Sequence, residues 1–489
     1  MMSKKISSYI IAFESWRHKN IIVATFSTAL VLLFLFISDN RIYPFDSRTY
    51  FTLSESFVQE GSFSLLNYPA SIRGVTFPLV LFVFNRISDF IWNDPLFGWR
   101  LLISLLSGIF VLAFPVIFKG IGKVYSLPIP LIALLFVWFG LFLAPLADLI
   151  SAFFLVFSLA LIRIGYDKIK HQKKVYLAFL MYVLSGLFLY SAYNTRTIYM
   201  AAIVGVLLLL ISIKANGKNG WNHMILIFAA ICIGVFLGGL PQAISNQHTI
   251  NSFSLAVPTH FHSDRGLNLF QLREGLRMNL YETSMVEGEP AAFIYWNRLG
   301  LHIINEHGSP QSIGEYLSFA LRYPLEFLGT YMRHLIVLLN PISGGGYIGS
   351  RNNMRFIYTV INYSILFITF GFLKRKFLDN SFKNTMQQVK TISQEGKMAL
   401  ISIVAILLPF AAILPGAVEE RFAIPFWLVI YGLICYCINL KQEFVLYKKR
   451  PVSYLILYLM GFAIMMAILT DIYANNDAGI FLPILYLGR

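Results

Sequence analysis

Two aspartates and three arginines stand where chemistry at a membrane surface could use them. Asp46, in RIYPFDSRTYFTLSESFVQEGSF, follows a long apolar run and precedes a stretch with helical periodicity. Asp148, in PLADLISAFF, comes just after Pro145 at the mouth of another apolar run. A carboxylate so close to hydrocarbon is costly unless it is paired or faces a wet cavity. Arg196 in SAYNTRTIYM and Arg421 in PGAVEERFAIPF also lie at the boundaries of apolar runs, and Arg333 in FLGTYMRHLIVLLNP is counted with them. A carboxylate within hydrogen-bond reach of a hydroxyl can take its proton, and a planar guanidinium fork can grip a phosphate by two hydrogen bonds. Asp46 and Asp148 are therefore candidate catalytic groups, and Arg196, Arg421 and Arg333 candidate phosphate holders. Blander roles compete: either aspartate also suits a helix N-cap, and Arg421 could pair with Glu419 or Glu420 or snorkel to water.

The elements that must position these residues follow from composition. The chain has 489 residues, 57% hydrophobic and only 13% charged. Uncharged apolar runs of about 18 residues or more are long enough to cross a bilayer core of about 30 Å. Such spans are expected at 18–38, 98–118, 127–144, 147–165, 175–192, 197–213, 223–240, 356–373, 398–415, 421–440 and 452–472. The first is too long for a cleavable signal and lacks a small-residue cleavage site. The fold class is thus an all-α integral membrane protein of about eleven transmembrane helices with further interfacial helices.

With alternating sides, every lysine from Lys4 to Lys449 falls on one side. The positive-inside rule makes that side the cytoplasm, with the N-terminus on it. The opposite side has no lysine but sixteen arginines and 19 of the 24 acidic residues. The net charge of +15 is therefore a signature of topology, and no nucleic-acid partner is expected. This parity requires residues 76–92, TFPLVLFVFNRISDFIW, to lie in the outer interface with Arg86 and Asp89 facing water. Cys232, Cys435 and Cys437 fall in expected helices, so no disulfide framework is implied.

Three parts result: a transmembrane module over 1–240 with a first outer loop at 39–97, a large outer loop over 241–355, and C-terminal spans over 356–489. The first outer loop carries a short amphipathic helix with Tyr50, Leu53 and Phe57 on one face, ended by Gly61. The second mixes aromatic and basic residues as an interfacial helix does, and breaks at Gly344–Gly346. His260, His262, His302, His307 and His334 lie in it without zinc-like spacing, so no metal is assigned to them. Nucleophile elbow, phosphate-cradling glycine loop and Rossmann fingerprint are all missing.

In order and sidedness these features resemble the GT-C superfamily of membrane glycosyltransferases, which take sugars from polyprenyl-phosphate carriers. In that family the first span leads to an acidic residue opening a surface helix, matched by FDSRTYFTLSESFVQEGSF and Asp46. A second interfacial helix begins near an aromatic-proline pair, matched by RGVTFPLVLFVF. A further acidic residue follows the third span, matched by Asp148, and an arginine precedes a late span, matched by Arg421 in EERFAIP. The resemblance implies sugar transfer from a polyprenyl-phosphate donor to a glycan or lipid acceptor on the periplasmic face of a bacterial plasma membrane, in surface polysaccharide or lipid A modification. Two departures are clear: the paired acids of the first loop are a lone Asp46, and no outer C-terminal domain follows, so acceptor binding falls to 241–355. No cofactor is assigned, and help from a divalent cation is left open.

The residues alone leave rivals. An ion-coupled transporter or lipid-linked oligosaccharide flippase would carry ionisable groups near the midplane or internal repeats, whereas here they gather at helix ends. A polysaccharide polymerase or ligase would also use arginines and a large outer loop on a polyprenyl carrier. A purely structural membrane subunit would leave Asp148 and Arg196 without a purpose.

Overall fold

A computed structural model of the chain describes residues 19–37, 46–92, 94–121, 145–172, 174–214, 220–259, 266–286, 289–340, 355–377, 393–434, 438, 447–448, 451–474 and 476–481. In chain order the helices are α1 (Lys19–Ile37), α2 (Asp46–Glu55), α3 (Thr76–Ile91), α4 (Pro95–Phe118), α5 (Ala147–Gln172), α6 (Val175–Thr195), α7 (Ala202–Lys214), α8 (Gly220–Ile250), α9 (Leu267–Arg277), α10 (Arg298–His307), α11 (Ile313–Arg322), α12 (Pro324–Leu338), α13 (Arg355–Phe377), α14 (Gln394–Ile413), α15 (Ile424–Gly432) and α16 (Pro451–Ala474). Eight of these, α1, α4, α5, α6, α8, α13, α14 and α16, are long and apolar enough to cross a membrane. The chain is a multi-pass membrane protein built mainly of helices.

The expected count of eleven spans is not reached among the described residues. The run Thr197–Ile213, a 3-10 turn at Thr197–Ala201 continued by α7, is shorter than the others. The span expected at 421–440 is described as α15 over Ile424–Gly432 only. The one expected at 127–144 lies outside the described residues, as do Cys435, Cys437, His260, His262 and Gly344–Gly346.

The long helices pair antiparallel. Along α1 and α4, Phe36 packs on Phe97 at one end and Val23 and Ala24 on Val111 at the other. Along α5 and α6, Arg196 reaches Asp148, and Ser158 meets Ser185 at 2.9 Å farther along. α7 meets α14 through Ser212 and Gln394, and α13 meets α16 through Ser364 and Tyr458. Following these pairs places the described lysines together at one end of the bundle. There Lys119 bonds Asp167 at 3.0 Å and Glu395 at 3.2 Å, while buried Arg163 donates to the carbonyls of Ile117 and Lys119 at the end of α4. The start of α5 and the ends of α6 and α14 lie at the opposite end.

Helix α3 runs across the bundle end. Phe77 near its start packs on Trp99, and Trp92 just after its end packs on Phe97. Between them Gly98 admits the middle of α3: a Cβ there would come within 2.6 Å of Asn85 Oδ1 and 2.8 Å of Phe84 C. Sixteen residues of helix, about 24 Å long, therefore cross a single turn of α4. Phe90, Ile91 and Trp92 are exposed, and Arg86 pairs with Asp89, both of them exposed.

Two features depart from the expected organisation. Helix α8 continues past Pro241 to Ile250, so the first part of the 241–355 segment is helix. The same segment holds β3 (Met278–Val286) and β4 (Glu289–Trp296), an antiparallel pair whose third strand is β5 (Asn476–Phe481). The all-α membrane architecture holds for most of the described residues, and this small sheet is an addition to it. Leu280, Phe293 and Tyr295 bury themselves against Val337 of α12 and Ile472 of α16. Since β5 follows α16 directly, the end of α16 shares a face with the 289–296 strand. A two-stranded hairpin, β1 (Val58–Gln59) and β2 (Ser62–Phe63), follows α2; Glu60 and Gly61 take positive φ in its turn.

Candidate functional site

At the face opposite the lysines, three guanidinium groups and three carboxylates form one chain of ion pairs. Asp46 is the first residue of α2 and Asp148 the second of α5, so each sits where a helix N-terminus favours negative charge. Asp46 Oδ1 accepts from Arg73 Nη2 at 2.6 Å and Oδ2 from Arg421 Nη2 at 2.8 Å. Arg421 also holds Glu419, with Nε–Oε2 at 2.8 Å and Nη2–Oε1 at 3.0 Å, and lies 3.6 Å from Asp148 Oδ2. Asp148 Oδ1 in turn accepts from Arg196 Nε at 2.7 Å. The side chains of Arg421 and Asp148 are only 6% and 7% exposed, against 24% for Asp46. Arg421 and Asp148 are thus the floor of the cluster and Asp46 its rim.

Each arginine is fixed by its surroundings. Arg196 ends α6 in extended backbone and stacks over Phe422, with its guanidinium carbon 4.7 Å from the ring centre; Arg421 stands 5.5 Å from the same ring. Arg421 belongs to a 3-10 turn, Glu420–Ala423, entered by a stretch that the outer segment clasps. There Tyr281 N–H donates to the Val418 carbonyl, Ala417 N–H to Gln271, and His334 Nδ1 lies 2.7 Å from the Leu414 carbonyl. Arg73 precedes α3, whose first free amides are taken by side chains from the bundle: Val75 N–H by Gln242 and Thr76 N–H by Asn194. Gly74 allows this approach, since a Cβ there would fall 2.0 Å from the Asn194 carbonyl oxygen. Tyr68 Oη closes the loop by donating to the Arg73 carbonyl.

The electrostatics divide the carboxylates. Burial would raise the Asp46 pKa, but Arg73, Arg421 and Arg196 outweigh it and hold the carboxyl well below its ordinary range. For Glu419 burial is the larger influence and wins over Arg421, with Asp46 adding to the rise, so this carboxyl sits above its ordinary value. Tyr50, on α2, lies under Arg73 with 5.4 Å from guanidinium carbon to ring centre. Burial raises its pKa, against the pull of Arg73 and Arg196. Its hydroxyl has no hydrogen-bond partner among the described residues, nor do those of Ser47, beside Asp46, and Thr195, beside Arg196. A buried polar group left unpaired costs about 1–3 kcal/mol, so three such hydroxyls at one cluster mark a place for water or a ligand.

Four of the five residues singled out in the sequence, Asp46, Asp148, Arg196 and Arg421, meet here. Arg333 does not join them: its guanidinium pairs with Asp471 of α16 at 2.7 Å, where it ties α12 to the last span. Arg73, Glu419 and Tyr50 belong to the cluster and were not singled out. Arg73 gave no local signal beyond its place before an in-plane helix, and Tyr50 reads as the apolar face of α2. Among the described residues, no group of three or more histidine, cysteine or acidic side chains is arranged to hold a metal ion; the cluster carboxylates face guanidinium groups. Compared with protein-family models, curated proteins and solved structures, the chain matches none.

Proposed function

We propose that the chain transfers a sugar from a polyprenyl-phosphate carrier to an acceptor hydroxyl at the face that holds the Asp46–Arg421 cluster. One observation carries this reading: guanidinium and carboxylate groups from distant parts of the sequence converge at one end of the helix bundle, beside buried hydroxyls that have no hydrogen-bond partner among the described residues. A carrier of this kind brings a lipid tail, a phosphate and a sugar to one surface. Lipid-facing helices suit the first, arginines the second, and carboxylates the acceptor of the third. The clustering at helix ends also favours surface chemistry over transport, which places ionisable groups near the midplane.

In the proposed reaction the acceptor oxygen bonds to the anomeric carbon while the bond to the carrier oxygen breaks and its electron pair leaves with the phosphate. Arg421 and Arg196 neutralise that phosphate, with Arg73 at the rim. The hydroxyl proton passes to a carboxylate, for which Asp46 is the nearest to open solvent. While Arg73 and Arg421 both hold it, Asp46 is a weak base; it gains strength once an incoming phosphate draws either guanidinium away. By the lysine distribution the cluster faces away from the cytoplasm, in a plasma membrane, with a surface glycan or lipid A as acceptor.

The test is binding of undecaprenyl phosphate, the released carrier, to the purified detergent-solubilised protein. Saturable binding is expected, reduced in Arg421→Ala. No saturable binding by the wild type would overturn the reading.

A further inference from the structure

A guanidinium grips two oxygens of one anion through a pair of adjacent N–H groups. In Arg421 the pair at Nε and Nη2 is occupied by one side chain of the same loop. Glu419 lies against both nitrogens, accepting a hydrogen bond from Nη2 at 3.0 Å and standing 2.8 Å from Nε as an ion pair without hydrogen-bond alignment, whereas Asp46 meets Nη2 with a single oxygen and Asp148 approaches Nε only to 3.6 Å. Nothing local requires this of Glu419. It precedes the Glu420–Ala423 turn in extended backbone, and its side chain does not cap that turn. It also lies on no helix, while Asp46 and Asp148 are fixed in the first turns of α2 and α5.

A phosphate ester presents two non-bridging oxygens on one phosphorus much as a carboxylate presents two oxygens on one carbon, and arginine pairs with both side by side. We infer that Glu419 occupies, in the ligand-free protein, the place on Arg421 that the non-bridging oxygens of the carrier phosphate take, and that it is displaced when the carrier enters. This rests on the phosphate-carrier reading above. Glu419 is then a positioning residue: it keeps Arg421 aligned and its charge balanced while the site is empty. It also makes entry a competition. An anion that can span both nitrogens displaces it, and a headgroup offering a single neutral oxygen does not. Removing the internal competitor should therefore tighten binding, the opposite of what loss of a ligand-contacting residue does.

Undecaprenyl phosphate binding to the purified full-length protein, measured by titration calorimetry, tests this in the wild type, Glu419→Gln, Glu419→Ala and Asp148→Asn. Both Glu419 variants are expected to bind about tenfold tighter, the affinity of a fork no longer contested by a carboxylate. Asp148→Asn removes the same charge without vacating the fork, and its gain should stay under about threefold. Equal gains in all three variants would assign the effect to net charge and overturn the inference, as would unchanged or weaker binding in both Glu419 variants. If the wild type shows no saturable binding, the carrier reading fails and the inference with it. Unfolding temperatures without lipid check that each variant is folded, and the Gln and Ala versions guard against one that is not.

Discussion

Arg421 is the hinge of the cluster, so its removal makes the sharpest demand on the account given above. Arg421→Ala removes the guanidinium shared by Asp46, Asp148 and Glu419, and among the described ion pairs of these carboxylates leaves those from Arg73 to Asp46 and from Arg196 to Asp148. Breaking a buried pair by deleting one partner typically costs about 3–5 kcal/mol. Part of that cost can be relieved by protonating the carboxylate least able to stay charged. Glu419 is that group, because burial already raises its pKa and the Arg421 contact that opposes the rise is gone. The sign follows: a carboxyl whose folded pKa lies above its unfolded value binds its proton more tightly in the folded state. Stability is then greatest below the unfolded value, 4.5 for glutamate, and falls as the pH rises through the folded one. Apparent unfolding temperature, followed by tryptophan fluorescence in detergent from pH 5 to pH 8, should therefore drop more steeply with rising pH in Arg421→Ala than in the wild type. Arg421→Lys should be milder in stability, since one ammonium still neutralises the floor. It should nonetheless lose about 1.5–3 kcal/mol of phosphate grip, or about 10- to 150-fold in kcat/KM, for want of the fork. An Arg421→Ala protein with wild-type stability and pH profile would refute the cluster as an energetic unit.

Three further outcomes are expected. Asp46→Asn, which keeps the shape and capping ability of the side chain, should lose about 100-fold or more in turnover while expression and carrier binding persist; a near-normal rate would leave Asp46 as an anchor for arginines and move the base to Asp148. A single cysteine at Lys170 should be shielded from an impermeant thiol reagent in sealed cells and one at Ser254 should label, because the two positions lie at opposite ends of the bundle; labelling at 170 would invert or break the topology. Cysteines at Ile294 and Asp477, cross-strand partners in the sheet, should form a disulfide in a background lacking the native cysteines, and failure under oxidation would show that β5 does not dock on β4.

Local signals in the sequence were enough for a multi-pass bundle of apolar helices. An apolar run longer than a bilayer has few alternatives to a spanning helix, and lysine placement follows the membrane independently of any contact. That α3 does not pair lengthwise with α4 but crosses its end agrees with a reading in which it is not a span, since counting it as one breaks the lysine parity. The carboxylates and arginines at the mouths of spans were readable for the same reason: a charge at that depth is costly and stands out. What no local pattern holds is who meets whom. Asp46 and Arg421 are 375 positions apart, and either could have served as a cap or a snorkelling cation. Only the docking of α2, α5, α6 and the 414–423 loop makes them one cluster. Arg333 looked equivalent to Arg421 until α16 brought Asp471 to it. The sheet was hidden because β5 lies some 180 residues beyond the strand it pairs with, and strand pairing is decided by long-range contacts more than by propensity. Glu419 and Arg73 became visible in the same way: in the sequence their side chains look like any other loop charges, and the partners that mark them are supplied by the folded chain.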